Sequence, residues 1–416
     1  MAKLREASLD DVCLLVTDGT HDTPKRVKDG FPLIKAKEIG GGKIDFEACD
    51  QISEEEHLRV IARSKPEHGD TLFAHIGASL GEAAFVKTDR PFSIKNIALF
   101  KPDLNIINER YLYYLVISPD FQGLAKQTKT GSAQPFLSLG HLRSHRITYH
   151  EALNEQRKIA AILSAYDDLI ENNLRRIKIL EEMAQNLYRE WFVKFSFPAC
   201  AAGAAGRPDS PLGRIPGGWE VVSLGKLTEL RKDKFKEKLH SECPLLDLAK
   251  MQQRTLSVGE TGCPDELTTS RIFFEEDDIL FGSIRPYLHK VALAPYRGVT
   301  NISVLVIRPA EKILQSFLTV FLSSIDTIRW ADQHSTGTKM PVIKWEALQT
   351  MPVLMPTQAV LCAFETSVQP MLQTVKMTSS RNQNLRHTRN LLLPRIISGE
   401  VDVSELDIAV PEEVSA

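Results

Sequence analysis

Hydrophobic residues in two stretches of the chain recur at alternating steps of three and four positions, which predicts two long helices. A period of about 3.5 residues is typical of a coiled coil, in which a narrow apolar seam faces a partner helix. The first helix is predicted from Asn154 to about Phe195, with the seam Ile159, Leu163, Tyr166, Ile170, Asn173, Ile177, Leu180, Ala184, Leu187 and Trp191. The second is predicted from about Thr357 to Leu393, with the seam Phe364, Val368, Met371, Val375, Thr378, Asn382, Leu385, Arg389 and Leu392. Two such seams in one chain predict that the helices pair with each other.

One asparagine interrupts each seam near its middle, Asn173 in the first and Asn382 in the second. Because a buried amide needs a polar partner and fixes the register, an antiparallel pairing would bring these two side chains together. The alternative is that each helix packs separately on its own globular region. Asn154 is the predicted N-cap of the first helix. Pro394 is expected to end or kink the second, because proline lacks an N–H donor.

Shorter apolar runs broken by Gly, Asp and Pro precede each long helix and predict strands. Short helices are predicted from Glu109 to Ile117 and from Ile313 to Leu322. Gly40-Gly41-Gly42-Lys43 is interpreted as a hairpin or turn, because a phosphate-binding loop requires Ser or Thr after its lysine. Each region is therefore predicted to be α+β or mostly β. The strand-forming runs are Phe31 to Ile34, Ala84 to Val86, Ile97 to Phe100, Lys290 to Leu293 and Ser303 to Ile307.

The same order of features occurs twice, about two hundred residues apart. Solenoid repeats have periods of roughly 20 to 50 residues, so this duplication indicates a tandem pair of whole modules. The equivalent segments are Asp70 to Ile76 with Asp278 to Ile284, Thr130-Gly131-Ser132 with Thr336-Gly337-Thr338, and the helix openings at Gln156 and Gln358.

The predicted fold class is α+β, with two modules in pseudo-two-fold tandem separated by two long antiparallel coiled-coil helices. A linker is expected from Pro198 to Pro211, because small residues with Gly and Pro cannot build a core. The predicted segments are a first module at 1–150, a first spacer helix at 151–197, a linker at 198–214, a second module at 215–355, a second spacer helix at 356–400 and a C-terminal tail at 401–416.

Composition is that of a globular protein, with 43% apolar and 25% charged residues in 416. The sequence has neither an apolar run of about 18 residues nor the core of a signal peptide, so the chain is expected in the cytoplasm. Six cysteines are scattered without a CxxC pair, so neither a metal site nor disulfides are predicted. A GxGxxG motif is missing, and no catalytic residues are predicted.

The formal charge of −2 argues against nucleic-acid binding by bulk electrostatics, because free-standing DNA-binding domains are usually strongly basic. Any DNA contact must therefore be local or shared with a partner. The one dense basic run extends from Arg231 to Lys238. It is either a phosphate-contacting strip or a solvated surface.

Several short segments together resemble the specificity (S) subunit of type I restriction–modification systems, along essentially the whole chain. Glu151-Ala152-Leu153 stands where a proline is usual before the first helix, which leaves the start of that helix open. The segments that carry the resemblance are Asp18 to Pro24, Thr130-Gly131-Ser132, Thr336-Gly337-Thr338, Glu155 to Ile159, Ile177 to Phe192 and Leu393 to Glu400.

This resemblance implies that each module is a target-recognition domain for one half of a bipartite double-stranded DNA site. Because the modules differ in sequence, the two half-sites should differ as well. The helices would form the spacer and dock modification subunits, two in number, each a methyltransferase that uses S-adenosylmethionine on adenine; restriction subunits would join them. S-adenosylmethionine, ATP and Mg are then expected only in the partners, so that this chain is non-catalytic and holds no cofactor.

Arg, Lys, Asn, Gln and small hydroxyl side chains read base edges, while Lys, Arg, Ser and Thr also hold phosphates. Residues of these types in and near the turns, with a few Tyr and His, are the DNA-binding candidates. Those of the first module are Thr20, His21, Lys25, Arg26, Lys35, Lys37, His75, Lys126, Lys129, Ser132 and Gln134. Those of the second are Arg231, Lys232, Lys234, Gln252, Gln253, Arg254, Arg285, Tyr287, His289, Thr336, Thr338 and Lys339.

Each group of candidates also has a structural interpretation. Thr20 and His21 would suit a tight turn stabilised by its own side chains, the two Thr-Gly turns would suit structural loops, and Gln252-Gln253-Arg254 would suit a solvated loop. Two other functions stay open. The chain could serve a partner in which methyltransferase and nuclease are fused, or it could be a coiled-coil scaffold with two protein-binding modules and no DNA role.

Overall fold

The computed structural model describes residues 3–129, 135–198, 209–210, 213–233, 243–267 and 270–409 of the 416-residue chain. The chain forms two compact units, the first made of residues 1–168 with 386–416 and the second of residues 169–385. Each unit contains one module and a part of both long helices. Most of the predicted linker lies outside the described residues.

The first module alternates short strands with short helices. Its strands are β1 Leu4–Ser8, β2 Cys13–Asp18, β3 Arg26–Val27, β4 Phe31–Lys35, β5 Ile39–Gly40, β6 Lys43–Ile44, β7 Asp50–Ile52, β8 Thr71–Phe73, β9 Ala83–Phe85, β10 Ser93–Lys95, β11 Ala98–Pro102 and β12 Arg146–His150. Its helices are α1 Leu9–Val12, α2 Glu54–Ile61, α3 Glu109–Ile117, α4 Pro119–Lys129 and α5 Leu139–Ser144. The first long helix, α6, is Leu153–Tyr188 and continues into the π-helical turn Arg189–Val193.

The second module repeats this alternation. Its strands, with the short hairpin that precedes it, are β13 Asp209–Ser210, β14 Gly213–Arg214, β15 Glu220–Ser223, β16 Thr228–Arg231, β17 Arg271–Phe274, β18 Ile279–Gly282, β19 Val291–Leu293, β20 Gly298–Asn301, β21 Val304–Pro309 and β22 Pro352–Met355. Its helices are α7 Leu224–Leu227, α8 Gln315–Leu322, α9 Ile325–Gln333 and α10 Trp345–Leu348. The second long helix, α11, is Gln358–Ile397.

A four-stranded antiparallel sheet forms the centre of each module, and its strand order is the same in both. The order is β2-β11-β8-β9 in the first module and β16-β21-β18-β19 in the second. A separate antiparallel pair, β1 with β12 or β15 with β22, joins the start of each module to the strand that leads into a long helix. The α+β class and the tandem duplication are therefore confirmed.

Both faces of the central sheet are buried in the first module, because successive side chains along a strand point to opposite faces. On one face Phe73 of β8 packs with Phe100 and Phe121. On the other face Leu72 joins Ile34 in a separate apolar cluster. Burial on both faces explains why the run Leu72-Phe73-Ala74 is continuously apolar and does not alternate with polar residues.

The aspartates that open the two equivalent runs occupy the same structural position. Asp70 accepts a hydrogen bond from the Lys101 ammonium at 2.8 Å, and Asp278 accepts two from the Arg308 guanidinium at 2.6 and 2.8 Å. Both carboxylates are buried, and a buried charge needs a partner of this kind. The sequence alignment of Asp70 with Asp278 is thus reproduced in three dimensions.

The start of the first long helix differs from the prediction. The helix begins at Leu153, and the Gln156 amide donates to the Ala152 carbonyl at 3.1 Å. Asn154 therefore lies inside the first turn and is not the N-cap. Gln156 is buried and its side-chain amide donates to the carbonyls of Ile106 and His150, whereas Gln358 is exposed. The two glutamines that open the helices are therefore not equivalent.

The end of the second long helix also differs from the prediction, because α11 runs through Pro394 to Ile397. Ile396 and Ile397 are buried in the core of the first unit, and this burial offsets the lost hydrogen bond at the proline. The helix stops before Gly399, whose φ of +73° is left-handed and whose N–H donates to the Ile396 carbonyl at 3.1 Å. Glycine in this conformation is a common helix terminator.

The two long helices pair through the predicted seams, and in each unit they run antiparallel. In the second unit the Asn173 side chain donates to Asn382 Oδ1 at 2.8 Å, and Phe364 lies against Trp191 with ring centroids 5.7 Å apart. In the first unit Arg389 is paired with Asp167. The predicted asparagine contact is confirmed, and the alternative of separately packed helices is wrong.

Replacing Asn173 with leucine should lower the free energy of unfolding by about 2 kcal/mol, because it leaves the Asn382 amide buried without its partner. Asn382 is 1% exposed, and its Nδ2 has no hydrogen-bond partner among the described residues. The double variant Asn173→Leu/Asn382→Leu should recover most of that loss. Urea unfolding of the two single variants and the double variant measures the coupling. Additive losses would contradict a direct amide contact.

The glycine run forms a hairpin turn. Gly41 and Gly42, with φ of +57° and +81°, form the turn between strands β5 and β6, so the hairpin interpretation of this segment is confirmed.

The helices in the described part of the chain include none with the length and apolar character that a membrane span requires.

Candidate nucleic-acid interface

Two segments of the second module that carry candidate residues are held side by side by backbone hydrogen bonds. The Arg285 amide donates to the Pro341 carbonyl at 2.7 Å, and the Ile343 amide donates to the Ser283 carbonyl at 2.9 Å. Thr336 and Val342 exchange two further bonds across the Thr-Gly turn. The fold therefore brings together one set of exposed candidates, Arg285, Tyr287, Thr336, Thr338 and Lys339, which we call the Arg285 surface.

The first module builds the same frame at the equivalent place. The Gly77 amide donates to the Pro135 carbonyl and the Leu137 amide donates to the His75 carbonyl, both at 2.9 Å. Ser132 and Gln134 lie outside the described residues, as do Thr130 and Gly131. Lys126 and Lys129 belong to helix α4.

His75 is a correction to the predicted set, because it is only 1% exposed. Its Nδ1–H donates to the Leu137 carbonyl at 2.8 Å, which ties β8 to the segment after the Thr-Gly turn. Burial lowers the pKa of His75. Its buried Nε2 has no hydrogen-bond partner among the described residues and lies 4.0 Å from Asp18. The side chain therefore organises the frame and is not presented to a ligand.

A second group of candidates in the first module surrounds the turn after β2. Thr20 pairs with the end of β10, and the Asp22 amide donates to the Thr20 hydroxyl at 3.1 Å. His21 contacts Asn96 Oδ1 at 2.8 Å and Asp18 Oδ2 at 3.0 Å. These bonds are those of a side-chain-stabilised turn, so the structural interpretation of Thr20 and His21 gains support.

Basic residues collect beside this turn. Arg26 lies 3.0 Å from Asp50, and Lys35 is paired with the same carboxylate. Burial and the neighbouring positive charges of Lys35 and Arg26 lower the pKa of Lys95, while Asp22 opposes them. We call Arg26, Lys35 and Lys95 the basic cluster. Of the remaining candidates here, Lys25 is exposed and Lys37 contacts Glu38 at 3.1 Å.

Lys95 is absent from the set predicted from sequence. It becomes a candidate because β10 pairs in parallel with β4, which puts Lys95 directly opposite Lys35. The only sequence signal is the short run Ser93-Ile94-Lys95. That run does not indicate which strand is its neighbour, so its proximity to Lys35 could not be found from spacing.

Three other candidates of the second module line a different feature, a cavity of about 580 Å³ beside helix α6. They are Gln252, Arg254 and His289, and the helix contributes Glu181 among others. The His289 Nε2–H donates to the Ser323 carbonyl at 2.8 Å. Burial lowers the pKa of His289, as does the charge of Arg254. Gln253 is exposed next to this group.

The basic run after β16 is partly neutralised. Arg231 contacts Asp233 at 2.9 Å and Glu229 at 3.3 Å. Lys232 is exposed, and Lys234 lies outside the described residues. Within the described ranges, no group of three or more His, Cys, Asp or Glu side chains is placed to hold a metal ion.

Comparison with known proteins shows which proteins this chain is similar to. Residues 3–182 match the family described as Type I restriction modification DNA specificity domain. The MjaIX specificity subunit of a type I restriction enzyme from Methanocaldococcus jannaschii is 24% identical over 417 positions, covering 92% of this chain and 94% of that protein. The HindI specificity subunit from Haemophilus influenzae is 21% identical, covering 84% and 90% of the two chains.

A solved structure agrees with the fold along nearly the whole chain. The type I restriction–modification S subunit from M. genitalium superposes with a TM-score of 0.56 at 14% identity, covering 95% of this chain and 96% of that one. The chain is similar to type I specificity subunits over nearly its whole length. The resemblance inferred from the short sequence segments is therefore confirmed.

The predicted DNA-binding residues of this chain fall into three described places. The Arg285 surface belongs to the second module, the basic cluster belongs to the first, and Gln252, Arg254 and His289 lie at the cavity beside α6. All of these assignments to DNA stay predictions. The three places differ in accessibility. The side chains of the Arg285 surface are exposed, whereas the His289 ring is hydrogen-bonded to the Ser323 carbonyl.

Proposed function

We propose that this chain is a type I specificity subunit that reads an asymmetric, bipartite double-stranded DNA site, with one module on each half. The observation that carries the proposal is a shared backbone frame that presents different side chains. The same hydrogen bonds hold Gly77 in the first module and Arg285 in the second. Sequence is read by side chains at base edges, so two modules with one frame and different side chains suit two different half-sites.

The long helices are proposed to dock the modification subunits. Several apolar side chains on these helices lie outside the seams and are exposed, so they are available to a partner surface. They are Leu169, Ile179 and Met183 on α6 and Met377 and Leu391 on α11. Partner surfaces that cover them would explain their exposure.

The catalytic chemistry is proposed to reside in the partners. Methyl transfer to adenine needs S-adenosylmethionine, and DNA cleavage by restriction subunits would need ATP and Mg, all of which belong to those subunits in this proposal. The role of this chain is then positioning, and it has no catalytic residue of its own.

The proposal is tested by co-expressing the chain with the modification subunit encoded beside it and mapping methylated adenines in the host DNA. Methylation confined to one bipartite, non-palindromic sequence is the expected result. Methylation without sequence preference, or a chain that shows no preference in a pool of random duplexes, would favour a protein-binding scaffold. A methyltransferase fused to a nuclease in the neighbouring gene would identify the alternative type of partner.

Lys95 supplies a separate test of the basic cluster. Lys95→Ala should weaken binding about equally for all sequences and should reduce the slope of log K against log salt by about 1, because one phosphate contact is lost. Titration of duplex DNA at several salt concentrations measures the slope. Lys3→Ala is the matched control, since Lys3 is exposed and pairs with Glu151 at 2.6 Å. An unchanged slope in Lys95→Ala would remove this residue from the interface.

A further inference from the structure

A five-residue loop follows strand β8 in the first module and the equivalent strand β18 in the second, and its sequence differs between the two. It is Gly77-Ala78-Ser79-Leu80-Gly81 in the first and Arg285-Pro286-Tyr287-Leu288-His289 in the second. The internal bond is the same in both, since the fourth residue donates its N–H to the carbonyl of the first, at 3.0 Å in the first module and at 2.9 Å in the second. The two loops are therefore copies of one backbone shape.

The first and last residues of this loop have left-handed backbone conformations in both modules. The φ angles are +77° and +95° for Gly77 and Gly81, and +49° and +52° for Arg285 and His289. Glycine adopts this conformation freely, whereas a residue with a Cβ is disfavoured there. The second module therefore holds two side chains against their backbone preference, at positions where the first module shows that glycine suffices.

His289 has a visible structural reason for its presence, because its ring donates a hydrogen bond to the Ser323 carbonyl. Arg285 has none. Its side chain is exposed, and within the described part of the chain no group accepts a hydrogen bond from it or pairs with its charge. Non-glycine residues held in such conformations cluster at functional sites.

The neighbours of Arg285 suit a nucleic acid. Lys339 is exposed and also has no carboxylate partner among the described residues, and Thr336 and Thr338 present exposed hydroxyls beside it. Tyr287 is 50% exposed in the same loop. This surface carries two unpaired cations, two hydroxyls and an aromatic ring on segments joined by backbone hydrogen bonds. It therefore suits a polyanion whose base edges can be read.

We infer that Arg285 is a specificity-determining residue of the second module and reads a guanine in the half-site of that module. Arginine fits the O6 and N7 atoms of guanine in the major groove with two parallel hydrogen bonds. The first module has glycine at this position and must discriminate through other residues, which makes the two half-sites unequal. This inference rests on the proposed DNA-reading function and adds a residue and a base to it.

The test uses the full chain assembled with its modification subunit, and selects bound sequences from a pool of fully randomised duplexes. The wild-type chain should select a bipartite site that has a guanine, on either strand, at one position. The preference for that guanine should depend on Arg285. Arg285→Gly should lose about 5- to 150-fold of the preference at that position and keep its preferences elsewhere. Its urea midpoint should not fall, because glycine suits the left-handed backbone.

Two further variants distinguish base reading from charge. Arg285→Lys keeps the charge but not the planar fork. Because lysine can also donate to guanine O6 and N7, this variant should keep guanine as the selected base with a weaker preference. A lysine variant that selects a different base at that position would overturn the inference. Arg329→Ala removes an exposed arginine of helix α9 and should change no preference. Full discrimination by Arg285→Gly would overturn the inference and leave the proposed function standing. Failure of the wild type to select any sequence would instead overturn the proposed function, and the inference with it.

Discussion

Phe364→Ala should lower the free energy of unfolding by about 3 to 5 kcal/mol, the cost typical of removing a fully buried phenylalanine. Phe364 is 0% exposed. Its ring lies 4.8 Å from the Phe192 centroid, 5.7 Å from Trp191 and 6.5 Å from Tyr188. The substitution leaves a cavity at the place where the two long helices and the second module share one core. Equilibrium unfolding in urea, followed by tryptophan fluorescence, measures the change.

Met377→Ala is the matched control on the same helix, because Met377 is 54% exposed. Its removal should change the free energy of unfolding by less than about 0.5 kcal/mol, as is usual for surface positions. A similar loss in both variants would contradict the assignment of Phe364 to the core. A loss of modification-subunit binding in Met377→Ala alone would support the proposed docking face.

Stability should fall as the pH rises from about 4.5 to 7, because of one carboxyl group. Burial raises the pKa of Glu181 to about 7, although the Thr255 hydroxyl and the Leu256 amide donate to it at 2.7 Å and oppose this change. In the unfolded chain the Glu181 carboxyl has its ordinary pKa of 4.5 and releases its proton in that range. In the folded chain the carboxyl keeps the proton. The stabilisation is complete below about pH 4.5, and about 3 kcal/mol is lost by the time the pH passes 7.

Glu181→Gln should remove this dependence, because the neutral amide keeps an acceptor for Thr255 and has no proton to lose. We expect the variant to exceed wild type in stability above pH 7 and to match it near pH 5. Glu220→Gln is the control, since Glu220 is an exposed residue of the same unit. Urea midpoints measured across this pH range test the expectation; parallel curves for wild type and Glu181→Gln would refute it.

Much of this fold follows from the sequence, because the periodic patterns of long helices depend on burial that the chain itself provides. The seams, the meeting of Asn173 with Asn382 and the helix at Glu109–Ile117 are all reproduced. The helix ends are not. Pro394 favours termination locally, but burial of Ile396 and Ile397 in the first unit carries the helix past it. A tertiary contact of this kind leaves no local signal.

The candidate site was predictable only in part. The residue types and the duplicated turns predict DNA-reading groups, and the fold does pair the segment that begins at Arg285 with the segment that contains Thr336 and Lys339. Burial of His75 and the pairing of Lys95 with Lys35 depend on which strands are neighbours. Strand neighbours are set by long-range packing. Residue type and spacing alone therefore do not distinguish the buried His75 from the half-buried Lys95.

The loop that ends in Gly81 or His289 keeps its shape through main-chain groups, and this has a consequence for how such chains diversify. A substitution in this loop leaves its backbone N–H and carbonyl groups unchanged. New side chains can therefore arise there by mutation while the surrounding domain still folds. Under the proposed function, a change of DNA target would then require only single codon changes in this five-residue loop. The two halves of one gene would in this way acquire separate histories after their duplication.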